Sequence, residues 1–197
     1  MSLKPLDSST IIKPKVQQIK TGTTLTEVGA ESANHSARSK ALAKLMVTSP
    51  FEVNKKTRSA VCTIIPSVEI IHDTDFNTVG YKITDADPDK LRKAAAIVET
   101  SMVPIHPAKI EERIAIMVEL ISVSSQFGPQ QMKSKTEVLA DELAKYPADI
   151  VIYAFEQVIK TAKFWPSFAE FYKYIRPLYE PRKLLLNKLH KCIENGR

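Results

Sequence analysis

The stretch that decides the fold class is YPADIVIYAFEQVIKTAK, residues 146–163. Pro147 stands where a helix can begin, because proline at the first helical position gives up no hydrogen bond. The apolar residues that follow recur at helical spacing over more than one face: Ile150, Val151, Ala154, Phe155 and Val158. The pattern predicts a largely buried helix that ends near Lys163.

Helices are predicted on both sides of this stretch. On the C-terminal side, Ser167 and Glu170 form a capping box that predicts a short helix over residues 168–175. Pro177 and Pro181 then separate this helix from a final one, whose apolar stripe is Leu184, Leu185, Leu189 and Ile193. On the N-terminal side, a helix is predicted over residues 130–145, with Met132, Val138, Leu139 and Leu143 turned toward the core.

Further upstream, Ile110, Ile114 and Met117 recur at helical spacing and predict a helix over residues 108–124. Asp87 is a good N-cap and Pro88 follows it at the first helical position, which predicts a helix to about Met102. Residues 37–47 favour a short helix that Pro50 ends.

The segment between these helices has a different character. The β-branched runs VCTII, VEII and TVGYKI, between residues 60 and 84, predict two or three short strands around the turn-prone DTDFN at 73–77. A lone hairpin is marginal in water, so these strands pack on the helices or on a partner, or stay weakly ordered. The pattern does not choose among these three.

The fold class predicted is mainly α, a small bundle of about five to six helices with a short β-hairpin near residues 60–84. Residues 1–35 are rich in Thr, Ser, Lys and Pro and predict a disordered basic tail. Residues 36–85 hold the short helix and the hairpin, and residues 86–197 the helical domain.

Motifs for catalysis are missing from the sequence. There is no GxxxxGK[ST] loop, no GxGxxG turn and no GxSxG elbow, and the four histidines, His35, His72, His106 and His190, are not at metal-ligand spacing. Cys62 and Cys192 are expected to be reduced and structurally neutral. We expect a protein that is not an enzyme, holds no cofactor or metal, crosses no membrane and works in the cytoplasm.

The densest aromatic cluster is KFWPSFAEFYKYI, residues 163–175, with Tyr179 soon after. Exposed aromatic residues anchor partner proteins, which makes Phe164, Trp165, Tyr172 and Tyr179 candidates for partner binding. The competing interpretation places Phe164, Phe168, Phe171 and Ile175 in the core, and leaves Trp165 and Tyr172 as the residues to test for exposure.

The net charge is +6, and the two ends of the chain are basic while its middle is acidic. Cations near the C-terminus suit contact with the phosphates of DNA: Arg176, Arg182, Lys183, Lys188 and Lys191. A helix-turn-helix is also conceivable over residues 130–175. Its recognition helix would begin Phe168-Ala169-Glu170, without a side chain suited to reading bases.

Three elements of the C-terminal part resemble a pattern found in small phage and prophage proteins. They are L-x-x-Y-P-A-D (Leu143 to Asp149), F-[FW]-P-[ST]-x-x-E-[LF] (Phe164 to Phe171) and R-x-x-L-L (Arg182 to Leu186). The FWPSFAEF element is similar to a helix start of the phage helicase loader/inhibitor family. The resemblance implies a small helical protein without a nucleotide site, which binds the replicative helicase.

The function expected is therefore that of a phage or prophage DNA-replication accessory protein, a non-catalytic adaptor for a replicative helicase or an initiator, with basic segments near DNA. Two alternatives stay open. One is a phage-encoded transcriptional regulator that binds duplex DNA, and the other is a structural protein of the virion.

Overall fold

The computed structural model describes residues 39–84, 87–121 and 128–196, so the predicted tail over residues 1–35 lies outside the described residues. The elements in chain order are α1 (residues 39–45), α2 (Pro50–Ile64), β1 (Val68–His72), β2 (Thr78–Ile83), α3 (Pro88–Thr100), α4 (Pro107–Leu120), α5 (Pro129–Leu143), α6 (Ala148–Thr161) and α7 (Phe168–Asn195). The prediction of a mainly helical fold with one hairpin is confirmed. Within the described ranges, no helix is both long and apolar enough to span a bilayer.

A first core lies among α4, α5, α6 and the N-terminal half of α7. Its largest fully buried side chains are Ile110, Ile114, Met117, Leu143, Ile150, Phe155, Phe171 and Ile175. The rings of Phe155 and Phe171 meet edge to face with their centroids 4.9 Å apart. The predicted burial of α6 is confirmed, whereas Val138 on α5 is 62% exposed and not in the core as predicted.

A second core lies among α2, the hairpin, α3 and the C-terminal half of α7. Its buried members include Val61, Ile65, Tyr81, Leu91, Val98, Leu185 and Leu189. In the hairpin, Val68 pairs with Ile83 and Ile70 with Tyr81, and these residues turn toward the helices. Of the three arrangements that the sequence left open for the hairpin, packing on the helices is the one observed.

The run VCTII, predicted as a strand, is instead the last turn of α2. Pro50 was expected only to end a helix, but it begins α2 at one of the first two helical positions. Val53, Thr57 and Val61 are buried at intervals of four residues, and Ile65 continues the series. This spacing is helical, and burial of one helix face outweighs the preference of single β-branched residues for strands.

The two short C-terminal helices predicted on either side of Pro177 and Pro181 form the single 28-residue helix α7. A proline inside a helix removes one N–H donor and crowds the carbonyl four residues earlier. Here the two prolines are four residues apart, so both losses fall on the same side of the helix. Packing on the first core before them and on the second core after them keeps α7 continuous.

Candidate functional site

The start of α7 is fixed by the predicted capping box. The backbone N–H of Ser167 donates to Glu170 Oε2 at 2.7 Å, and the Ser167 hydroxyl accepts from the backbone N–H of Glu170 in return. These bonds satisfy N–H groups that a helix start otherwise leaves without partners. The cap therefore sets the direction in which the first turns of α7 present their side chains.

Those turns, the loop before them and the residues that follow α5 present a surface that we call the aromatic face: Tyr146, Trp165, Phe168, Tyr172 and Tyr179. The ring of Tyr146 lies at its centre, 4.9 Å from the ring of Tyr179, 6.1 Å from Phe168 and 6.2 Å from Tyr172. All five side chains are partly buried. Rings that pack on one another lose little further freedom on binding, so the aromatic face is preorganised.

A groove of about 680 Å³ runs beside the aromatic face, between α5 and the loop that precedes α7. Its walls include Val138 and Leu139 on α5 and Trp165, Pro166 and Phe168 across from them. The exposure of Val138 is explained by this position, since the residue lines an open groove and not the core. Apolar walls with an aromatic edge are typical of sites that bind protein side chains.

The predicted partner-binding residues divide into two groups. Trp165, Tyr172 and Tyr179 belong to the aromatic face. Phe164 was also considered for the core, but it is 70% exposed on the loop before α7 and does not line the groove. Phe171, by contrast, is fully buried as predicted. The central position of Tyr146 was not predicted from the sequence. The only related pattern was the seven-residue spacing of Tyr172 and Tyr179, which places these two rings on one side of a helix.

The electrostatics of the aromatic face keep the phenol of Tyr146 neutral. Burial raises the pKa of the Tyr146 phenol, and the neighbouring hydroxyls of Tyr172 and Tyr179 and the carboxylates of Glu142 and Glu180 raise it further. A phenol with a raised pKa donates a hydrogen bond throughout the physiological range. This arrangement suits binding and does not activate a nucleophile.

A basic stripe runs along α7 beside the aromatic face and consists of Arg176, Lys183 and Lys191. All three side chains are exposed, and none takes part in the ion pairs found among the described residues. Lys183 Nζ lies 5.6 Å from the ring centroid of Tyr179. Since helical residues rise about 1.5 Å each, the stripe extends over roughly 22 Å. Lys188 lies on another side of α7 and is half-buried.

Arg182 was predicted to contact nucleic acid, and this prediction is wrong because its side chain is buried. Only 3% of the residue is exposed. Nη2 meets Asp149 Oδ2 at 2.5 Å and the carbonyl of Pro50 at 3.2 Å, while Nη1 donates to the carbonyl of Ser101 at 2.6 Å and to Asp149 Oδ1 at 3.0 Å. Nε donates to the side-chain oxygen of Asn54.

These bonds use all five N–H groups of the guanidinium, and they join α7 to α2, to the end of α3 and to the start of α6. We call Arg182 and Asp149 the clamp. It lies between the two cores, where it fixes α7 against both halves of the molecule, and it leaves no donor of Arg182 for a phosphate.

The helix predicted as the recognition helix of a helix-turn-helix is the beginning of α7. Its Phe171 and Ile175 side is buried in the first core, and the carboxylate of Glu170 is engaged in the cap. The exposed cations follow in the second and third turns, at Lys173 and Arg176. This geometry favours contact with a partner surface or with phosphates over insertion of the helix start into a groove.

Two of the described histidines, His106 and His190, contact groups at the ends of helices α4 and α3. His106 Nδ1 accepts from the backbone N–H of Ala108 at the start of α4, and His190 Nε2 lies 3.0 Å from Glu99 Oε1. Across the part of the chain that the structure describes, no group of three or more His, Cys, Asp or Glu side chains could hold a metal ion.

Comparison of the chain with known proteins finds no similar protein. No protein-family model matches the chain, and neither does any curated protein or solved structure.

Proposed function

We propose that this protein is a non-catalytic adaptor of phage or prophage DNA replication, which docks on a replicative helicase or an initiator protein through the aromatic face. The basic stripe of α7 holds DNA next to the docked partner. The proposal combines the surface geometry with the resemblance of residues 143–186 to helicase loader/inhibitor proteins.

The observation that carries the proposal is the aromatic face itself. Aromatic residues are enriched at the centres of protein interfaces, where a few side chains supply most of the binding free energy. Tyr146, Tyr172 and Tyr179 hold one another in place while part of each ring stays open to solvent. The groove beside them offers a partner side chain an apolar site next to Trp165.

The basic stripe supports the DNA part of the proposal. Arg176 and Lys183 are seven residues apart, about 10 Å along the helix, and Lys191 follows after about 12 Å. Separated cations on one exposed ridge contact phosphates and do not form the convergent set that reads base edges. We therefore expect binding of DNA that is weak, insensitive to sequence and strongly reduced by salt.

The test is affinity capture with the tagged full-length protein from infected or lysogenic host cells, with and without nuclease treatment. The binding variant combines Trp165→Ala with Tyr172→Ala, and Ile116→Ala on α4 serves as the control because that side chain is 56% exposed and lies outside the face. Circular dichroism first establishes that the variants are folded.

We expect that a helicase or an initiator is recovered even after nuclease treatment. It should be lost with the binding variant and retained with the control. Recovery of nucleic acid alone would contradict the adaptor and favour the DNA-binding regulator. Stable homo-oligomers that retain no replication protein would favour a virion component.

A further inference from the structure

The tip of the hairpin presents an aromatic side chain in a conformation that costs free energy. Phe76 has a φ of 60° and is 86% exposed. A bulky residue in the left-handed region is strained, and burial of its ring does not compensate here. Strain of this kind persists where the surroundings enforce it, and it is concentrated at functional positions.

Asp73 enforces the conformation. Its Oδ1 accepts from the backbone N–H groups of Asp75 at 2.9 Å and Asn77 at 2.8 Å, and its Oδ2 accepts from the Asn77 side chain at 3.1 Å. The Asp73 backbone N–H donates to the carbonyl of Asn77, and its carbonyl accepts from the N–H of Phe76. The turn is thus closed by five hydrogen bonds and holds the Phe76 ring outward.

The tip is apolar and acidic. In the same hairpin, Ile71 is 46% exposed and Val79 is 51% exposed, and Ile71 stays uncovered because its cross-strand neighbour is Gly80. Residues 73–79 contain two carboxylates, those of Asp73 and Asp75, and no Lys or Arg. We call residues 71–79 the hairpin tip.

The aromatic face and the basic stripe of α7 complement the hairpin tip in aromatic character and in charge. Tyr172 and Tyr179 offer rings on which Phe76 can stack, and Arg176 and Lys183 lie among them at helical spacings of three and four residues. An aromatic residue flanked by carboxylates on one surface thus matches aromatic residues flanked by cations on another. The two surfaces belong to the same chain.

We propose that the hairpin tip of one molecule docks on the aromatic face and basic stripe of a second copy of this chain. Each copy uses two different surfaces, so the contact is head to tail and each end of a dimer can add a further copy. The contact area is small, so we expect reversible association with a Kd on the order of tens to hundreds of micromolar. A partner that binds the aromatic face would compete with it.

Sedimentation velocity of the purified full-length protein over a range of concentrations tests the proposal without any partner, so its outcome is independent of the adaptor function. The tip variant is Phe76→Asn, because asparagine accepts the left-handed conformation and keeps the turn. The face variant is Arg176→Glu with Lys183→Glu. Controls are Val47→Ala, equally exposed at 86%, and the charge-matched pair Lys90→Glu with Lys93→Glu on α3.

Wild type and both controls are expected to show an average mass that rises with concentration and falls with added salt. Each of the two variants alone should weaken association at least about tenfold. An equimolar mixture of tip variant and face variant should form a 1:1 dimer and nothing larger, because only one intact tip and one intact face can meet.

A wild-type protein that stays monomeric at millimolar concentration would overturn the proposal, as would association that the tip variant does not weaken. A mixture that fails to dimerise, although wild type associates, would equally show that the two surfaces are not partners.

Discussion

Replacing Arg182 by methionine removes five hydrogen-bond donors from the centre of the molecule and leaves the carboxylate of Asp149 buried without a counter-charge. The side chains of Arg182 and Asp149 are 2% and 0% exposed. Removing one partner of a buried ion pair costs about 3–5 kcal/mol, because the remaining charge keeps its desolvation penalty. For a chain of this length, each kcal/mol lowers the Tm by about 2–4 °C, so the expected loss is roughly 6–20 °C.

The assay is urea unfolding followed by circular dichroism, with the free energy of unfolding extrapolated to water. Asp149→Leu should be comparably destabilising, since it leaves the guanidinium of Arg182 buried without a counter-charge. The double variant Arg182→Met with Asp149→Leu should be clearly more stable than the sum of the single losses implies, because it leaves no buried charge. Lys183→Met, one residue along on the exposed side, is the control and should change stability by less than about 0.5 kcal/mol.

A loss below about 1 kcal/mol for Arg182→Met would contradict the predicted role of the clamp, as would single losses that simply add in the double variant. A folded Arg182→Met protein that had lost affinity for DNA would point back to the surface role that sequence alone suggested.

Three further predictions concern the core, the hairpin tip and the response to pH. Phe171→Ala should cost about 3–5 kcal/mol in urea unfolding, because it opens a cavity in the first core, whereas Phe164→Ala should cost under about 0.5 kcal/mol. Phe76→Gly should raise stability by about 1 kcal/mol in the same assay, since glycine removes the left-handed strain; a loss would show that the ring is held by packing. Hydrogen bonds from Asn77 lower the pKa of Asp73, so the stability that its carboxylate contributes is present above about pH 3.9 and is lost as the pH falls through the folded pKa. Asp73→Asn should flatten the acid limb of the stability profile.

The sequence predicted the helices whose apolar residues stand at regular spacing and whose ends carry clear caps. Asp87 caps α3 by accepting from the N–H of Asp89, and Ser167 with Glu170 caps α7, both as expected. Local rules suffice for these features because the cap and the helix it begins lie within a few residues of each other.

In α7, the side of the helix on which a residue lies determines whether it is buried, and local rules did not predict this for Arg182. The buried side of α7 is formed by Phe171, Ile175, Leu178, Arg182, Leu185 and Leu189, at alternating steps of three and four residues. Arg182 lies on this buried side. Its burial could therefore have been predicted if residues 168–195 had been recognised as one continuous helix. Pro177 and Pro181 led to the prediction of two separate helices, because a proline locally disfavours a helix. Packing against residues distant in sequence offsets this cost and keeps α7 continuous.

The clamp also joins two of the three sequence elements on which the predicted resemblance to loader/inhibitor proteins rests. Asp149 ends the Y-P-A-D element and Arg182 begins the R-x-x-L-L element, and the structure joins the two in one buried ion pair. In the element between them, Ser167 and Glu170 form the cap and Phe171 fills the core. These residues maintain the placement of α7, which any protein with this scaffold needs whatever it binds. Under the proposed function, the residues that determine the partner are the partly exposed ones beside them, above all Trp165, Tyr172 and Tyr179. Substitutions there should change what is bound at a smaller cost in the free energy of unfolding than substitutions in the clamp, which should mainly lower stability.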